Sequence, residues 1–219
     1  MPPRRDRYLY AMGLRVLAPL YDPLVRWVFP ADRRLKGEIA RRVGNGGARR
    51  ILDVGCGTGT LALLIRRQLP SGTVVGLDGD DRVLGIAARK SARERLAADW
   101  VRGFSDRLPH PGGSFDCAVT SLMLHHLTRE QKLDTLREIH RVLKPGGTLC
   151  CADFDRPHTV ATRAAAWWWQ LVEDRDRIRD NLEGKLPALI EAAGFEAVQR
   201  IMRMATLFGT VSLFHAQSD

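Results

Sequence analysis

Short apolar runs alternate along this chain with longer amphipathic stretches, and the alternation sets its elements. Ile51-Leu52-Asp53-Val54, Thr73-Val74-Val75-Gly76-Leu77-Asp78, Trp100-Val101-Arg102, Ser114 to Ser121 and Thr148 to Phe154 read as strands, β-branched and mostly apolar on both faces. Between them the 3.6-residue period predicts helices from Leu61, from Asp80 or Asp81 to Leu96, and from Arg129 to Leu143. Arg141-Val142-Leu143-Lys144-Pro145-Gly146-Gly147 then stops the last of these with Pro and Gly. The stretch from His158 to Asn181 reads as helical, Gly184 to Ala193 as a last helix, and Phe195–Met204 with Leu207–Ala216 as an antiparallel pair. Upstream, residues 5–29 predict short amphipathic helices broken near Pro19 and Pro23 and ended by Pro30. Asp32 is placed to cap a helix to about Val43, stopped by Asn45-Gly46-Gly47. Strands alternating with helices define an α/β fold.

Composition narrows this picture. The 219 residues suffice for one α/β domain with a full core. No apolar run is long enough to cross a bilayer, and Arg15, Pro19 and Pro23 interrupt what an export signal would need, so a cytoplasmic location is expected. Cys56, Cys117, Cys150 and Cys151 lack zinc-type spacing and read as buried thiols, with Cys150 and Cys151 on opposite faces of one strand. Of the net charge of +9, eight units fall within residues 1–50, which hold twelve Arg and Lys against four Asp and Glu. Such a segment is either a solvated basic face or a contact for an anionic membrane surface or an acidic substrate; no stacking or RNA-binding signature points to nucleic acid.

The candidate chemistry centres on Asp53-Val54-Gly55-Cys56-Gly57-Thr58-Gly59-Thr60. Three alternating glycines between a strand and a helix remove Cβ atoms where a ligand lies against backbone, and the helix start turns its unpaired N–H groups toward the bend. The dinucleotide fingerprint would place a glycine at position 60, where this chain has Thr60, and Asp53 would repel a pyrophosphate. Asp53 can instead accept hydrogen bonds from a cationic amino-acid ligand. Asp78, 19 residues after Gly59 and followed by Gly79, stands where a βαβ unit brings an acid beside a ribose.

The Asp-x-Gly-x-Gly-x-Gly run resembles motif I of class I S-adenosylmethionine (SAM) dependent methyltransferases. Further residues follow in the order of that family. Gly103-Phe104-Ser105-Asp106-Arg107-Leu108-Pro109 resembles its adenine-reading loop, with Phe104 where the family has an acid. Leu124-His125-His126-Leu127 resembles the signature after its fourth strand, and Arg141 to Gly147 its turn before the fifth. Ala18-Pro19-Leu20-Tyr21-Asp22 resembles the start of ubiquinone/menaquinone C-methyltransferases and of some phospholipid N-methyltransferases.

The resemblance implies a Rossmann-like, seven-stranded, mostly parallel sheet with helices on both faces and a C-terminal antiparallel hairpin. Residues 48–219 would form this domain and residues 1–47 an N-terminal helical cap or lid. It implies SAM as methyl donor and S-adenosylhomocysteine as product, bound by Asp53, Gly55, Cys56, Gly57, Gly59, Asp78, Gly79, Phe104, Ser105, Asp106 and Ser121. Phe104 would stack on adenine while the backbone at Ser105 or the side chain of Asp106 supplies polar recognition. Candidates beside the acceptor are His125, His126, Asp153 and Tyr21. Of the two histidines, one is expected to pack and one to face the pocket, or both to order the loop; Asp153 is either a pocket residue or a loop anchor. No third ligand accompanies the histidine pair, so no metal is expected. Trp167-Trp168-Trp169 fan over roughly 200° of a helix with ~3.6 residues per turn, so at least one leaves the core. With the aromatic cap, this points to a small, partly apolar acceptor: a lipid, quinone or natural-product intermediate. A SAM-binding protein without transfer activity, serving as an interaction or regulatory module, is the reading from another class.

Overall fold

The structure, a computed structural model, describes residues 30–172 and 175–219. The expected cap helices over residues 5–29 and Tyr21 lie outside the described residues, as do the side chains of Trp168 and Trp169. Helix α1 (Pro30–Asn45) precedes strand β1 (Arg50–Val54), and α2 (Thr60–Gln68), β2 (Thr73–Asp78), α3 (Asp81–Glu94) and β3 (Asp99–Arg102) follow. Next come β4 (Phe115–Ser121), a 3₁₀ turn (Leu124–His126), α4 (Arg129–Val142) and β5 (Leu143–Asp155). Helices α5 (Val160–Val172), α6 (Arg175–Leu182) and α7 (Leu186–Ala192) lead to β6 (Phe195–Thr206) and β7 (Gly209–Ser218).

One seven-stranded sheet runs in the order β3-β2-β1-β4-β5-β7-β6. All pairs are parallel except β5–β7 and β6–β7, so the C-terminal hairpin closes an otherwise parallel sheet. Strand order reverses between β1 and β4. Loops leaving the C-terminal ends of those two strands diverge and open a crevice, where sheets of this kind bind ligands.

Side chains alternate across the pleat and build a core on each face. Leu52, Val54, Ala118, Leu149 and Cys151 pack against Leu136, Ile139 and Val142 of α4 and Leu186, Leu189 and Ile190 of α7. Ile51, Cys117, Val119, Cys150 and Ala152 face Leu35, Ile39 and Val43 of α1, Leu61 and Ile65 of α2, and Ile178 of α6. Cys150 and Cys151 thus occupy opposite faces, and all four cysteines are buried free thiols. The described part of the expected cap, α1, is a layer of this second core.

Two expected boundaries moved. Helix α1 starts at Pro30, which suits a first helical position, and Asp32 lies in its first turn bonded to Lys36 Nζ at 2.8 Å. Extended backbone begins at Leu143 rather than Thr148, because Leu143 already pairs with Phe115; a register shift then absorbs the Pro145-Gly146-Gly147 segment. The stretch after His158 is helical on both sides of residues 173 and 174, as α5 and α6.

Candidate functional site at the strand ends

At the end of β1 the chain bends through Gly55, Gly57 and Gly59, with φ of 71°, 52° and 74°. These left-handed angles are strained for any residue with a Cβ. The bend is tied to β2: Gly55 N–H and Cys56 N–H both donate to Leu77 carbonyl, at 2.8 and 3.0 Å. A methyl group on Gly55 would meet Met123 Cγ at 2.5 Å, and one on Gly59 would meet the Trp100 ring at 2.4 Å. Gly57 differs. Among the described residues beyond its chain neighbours, no atom lies within 4 Å of where its Cβ would stand, so of the three glycines this one alone leaves its backbone uncovered by them.

Asp78, at the end of β2, is buried and already oriented. Its Oδ2 accepts from Gly57 N–H at 2.9 Å and its Oδ1 from Asp80 N–H at 3.0 Å. Both oxygens are acceptors of the kind a vicinal diol needs. Gly79 continues into the bend that starts α3. Beside it, Gly103 N–H donates to Asp78 carbonyl at 3.1 Å, which brings the loop after β3 against the end of β2. There the Phe104 ring is 47 % exposed and Asp106 is exposed, whereas Ser105 Oγ lies 2.8 Å from Thr135 Oγ1 of α4. The Ser105 hydroxyl thus fastens the loop to α4. Cys56 turns its sulfur toward Gly76 of β2 and can offer the crevice only backbone.

Asp53 is 1 % exposed, and its Oδ2 has no hydrogen-bond partner among the described residues. Burial pushes its carboxyl up to about 7, against the pull of Lys36 and of Ala62 N–H and with the push of Asp78. Ser121, at the end of β4, likewise carries a buried hydroxyl without a partner. Asp53 pairs with Val119 in register, so Asp53 and Ser121 point to the same side of adjacent strands, at the reversal of strand order. Unpartnered buried polar atoms are costly, and two of them at the mouth of a crevice imply a ligand that supplies donors.

The Asp53 shift has a thermodynamic consequence. The folded chain holds a proton that the unfolded chain releases between pH 3.8 and about 7, so stability falls as pH rises through that window. Asp53→Asn should remove a slope of up to about 1.4 kcal/mol per pH unit from the pH dependence of urea unfolding. Identical slopes in both proteins would show that Asp53 ionises normally.

After β4, Leu122 adopts φ of 54° and redirects the chain into the 3₁₀ turn carrying both histidines. That turn is held by Asp153, which is fully buried. Its Oδ2 accepts from Met123, Leu124 and His125 N–H at 3.1, 2.8 and 3.4 Å, and its Oδ1 lies 2.7 Å from His125 Nδ1. Oδ1 also accepts from Phe154 N–H at 2.7 Å and Asn181 Nδ2 at 3.3 Å. Burial raises the Asp153 carboxyl, but the His125 contacts and Phe154 N–H outweigh it and hold it below the usual range. The His125 ring packs 3.9 Å from that of His126 and edge-on to Phe154. Burial, then the charges of His125 and Arg177, push His126 down to about 3, so it is neutral at physiological pH.

The strand ends therefore bring Asp53, Gly55 to Gly59, Asp78, Phe104, Asp106, Ser121, His125, His126 and Asp153 to one edge of the sheet. Asn181 and Arg177 of α6, which fasten Asp153 and donate to His126 carbonyl at 2.6 Å, belong to the same assembly. So does Trp100, which fills the space over Gly59 and Gly76. The sequence carries no signal for these three, since each acts through a tertiary contact. A separate cavity of about 500 Å³ lies at the other end of the strands, around Arg42, Asn45, Lys144, Thr148 and His215.

This fold, a mostly parallel seven-stranded sheet with a glycine bend after β1 and a C-terminal antiparallel hairpin, defines a Rossmann-like α/β protein. Residues 51–147 match the family described as a methyltransferase domain. The chain is 34% identical over 142 residues to the demethylmenaquinone methyltransferase of Thermus thermophilus, covering 64% of each chain. It is 32% identical over 191 residues to the ubiquinone/menaquinone biosynthesis C-methyltransferase of Rubrivivax gelatinosus, covering 78% of this chain and 72% of that protein. Among solved structures, magnesium protoporphyrin IX methyltransferase from Synechocystis, with S-adenosylhomocysteine bound, superposes with a TM-score of 0.67 at 17% identity, over 85% of this chain and 83% of that one. The chain belongs to the SAM-dependent methyltransferase family.

Proposed function

We propose that this chain transfers the methyl group of SAM to a small, partly apolar acceptor of quinone type. The observation that carries this reading is the pairing of the unpartnered Asp53 Oδ2 with the open backbone at Gly57, one strand away from the oriented carboxylate of Asp78. A dinucleotide would set phosphates against Asp53; SAM sets an ammonium there. The relatives named above for quinone methylation support the acceptor class.

The residues present fit the group. Asp78 would hold the ribose hydroxyls, Asp53 and Ser121 the amino-acid end, and the Phe104 ring the adenine face. SAM supplies a methyl carbon made electrophilic by its sulfonium sulfur. The protein has to hold an acceptor in line with that carbon and keep water out, and most of the rate comes from this alignment. Where the acceptor carries a proton, His125 is the base of choice: Asp153 fixes its ring through Nδ1, as the acid of a catalytic triad orients its histidine. His126, with its basicity suppressed, serves as a neutral wall.

Calorimetry with SAM and S-adenosylhomocysteine, followed by methyl transfer from labelled SAM to a short-chain demethylated quinol, tests the reading. Binding without turnover would leave a SAM-binding regulatory protein. Asp78→Ala should weaken SAM binding by about 1–3 kcal/mol, the worth of a charged hydrogen-bonded group. An unchanged affinity would move the sugar elsewhere.

A further inference from the structure

Three large apolar side chains stand in solvent beside the crevice. Val160 and Trp167 of α5 are 80% and 66% exposed, and Leu207 in the β6–β7 turn is 77% exposed. Val160, exposed Ala164 and Trp167 fall at i, i+4 and i+7 and so share one face, while Thr162 and Ala166 turn to the interior. The turn is braced by Thr206 Oγ1, which accepts from Phe208 N–H at 3.2 Å and donates to Gly209 carbonyl at 2.8 Å. It is joined to the segment entering α5 by His158 Nδ1 and Thr210 Oγ1 at 2.8 Å, and by Arg203 donating to Arg156 carbonyl at 2.7 Å. Thr210 pairs with Asp155, the last residue of β5, so Leu207 and the start of α5 stand at the sheet edge that carries the crevice.

The two segments that carry these residues hold charge of one sign. Residues 156–172 and 197–218 contain no Asp or Glu but hold Arg156, Arg163, Arg200 and Arg203. Of these, Arg156, Arg163 and Arg203 are exposed at the α5 entry, on α5 and on β6, while Arg200 is ion-paired with Asp155. Exposed Trp and aliphatic side chains on segments that also carry exposed arginines are what an anionic bilayer surface accepts: the indole sits at headgroup depth and the guanidinium groups meet lipid phosphates.

We propose that the α5 face of Val160, Ala164 and Trp167, with the Leu207 turn, is a peripheral docking surface for an anionic lipid bilayer. It would set the crevice against the membrane, where an apolar acceptor resides. In that last respect it deepens the function proposed above, but docking itself requires neither SAM nor an acceptor.

Co-sedimentation of the full chain with phosphatidylglycerol-containing vesicles, against pure phosphatidylcholine vesicles, tests it in the absence of SAM. The wild type should partition onto the anionic vesicles and come off as ionic strength rises. Trp167→Ser with Leu207→Ser, and separately Arg156→Glu with Arg163→Glu, should each cut partitioning about tenfold or more, with thermal unfolding unchanged. Wild-type partitioning by both variants would overturn the proposal and assign vesicle binding to another part of the chain, the basic residues 1–29 first. So would a wild type that ignores vesicles, or a dimer in solution that Leu207→Ser dissolves. SAM affinity measured in parallel separates the readings: its loss in the wild type would remove the proposed function and leave the docking surface standing.

Discussion

Asp153→Ala should destabilise the protein by about 3–5 kcal/mol, the cost of removing one partner from a buried charged network. The magnitude follows from what is stranded. Backbone N–H groups of Met123, Leu124, His125 and Phe154 lose their acceptor at once, along with His125 Nδ1 and Asn181 Nδ2. Asp153→Asn should recover little, because one acceptor oxygen becomes a donor facing donors. Since the folded carboxyl is held below its ordinary value of 3.8, its contribution is fully present above that pH and is lost as pH falls through the lower folded value. Urea unfolding at neutral pH checks the magnitude. A loss under about 1 kcal/mol would show that the histidine turn is held by other contacts.

Gly59→Ala and Gly57→Ala should separate stability from binding within one bend. A methyl at Gly59 meets the Trp100 ring at 2.4 Å and Ala87 Cβ at 2.8 Å, in a backbone conformation that already disfavours alanine. Overpacking and the left-handed penalty together predict a loss of about 2–5 kcal/mol. At Gly57 no described side chain stands in the way, so the backbone penalty of about 1–2 kcal/mol applies, but the methyl would point into the space proposed for SAM. Thermal unfolding should therefore single out Gly59→Ala, while calorimetry with S-adenosylhomocysteine should show the larger affinity loss per unit of lost stability for Gly57→Ala. Equal stability losses in the two variants would mean that the indole yields.

The central parallel strands were legible because they are buried on both faces and read as apolar runs between turn residues, as in Ile51 to Val54 and Phe115 to Ser121. The glycine bend and Asp78 were legible because backbone conformation and loop length place them. The hub at Asp153 was not: its partners His125 and Asn181 lie 28 residues to either side, and nothing in their spacing marks which atoms meet. Adjacent His125 and His126 look alike in sequence, yet one is fixed by a carboxylate and the other is deprived of its basicity by burial. The contact of the Ser105 hydroxyl with Thr135 of α4 is likewise a tertiary one, 30 residues apart and unmarked in the sequence. Leu143 reads as the end of a helix because the helical period runs on, whereas pairing with Phe115 claims it for the sheet.

Trp100 ties the rigidity of the glycine bend to the margin of the sheet. Its strand, β3, is four residues long and hydrogen-bonded to β2 alone. One indole from that margin occupies the hollows left by two absent side chains, at Gly59 and Gly76. Fraying of the margin would withdraw the ring and release the bend with it, so amide hydrogen exchange at Gly59 should keep pace with exchange in β3 rather than with the slower strands at the centre.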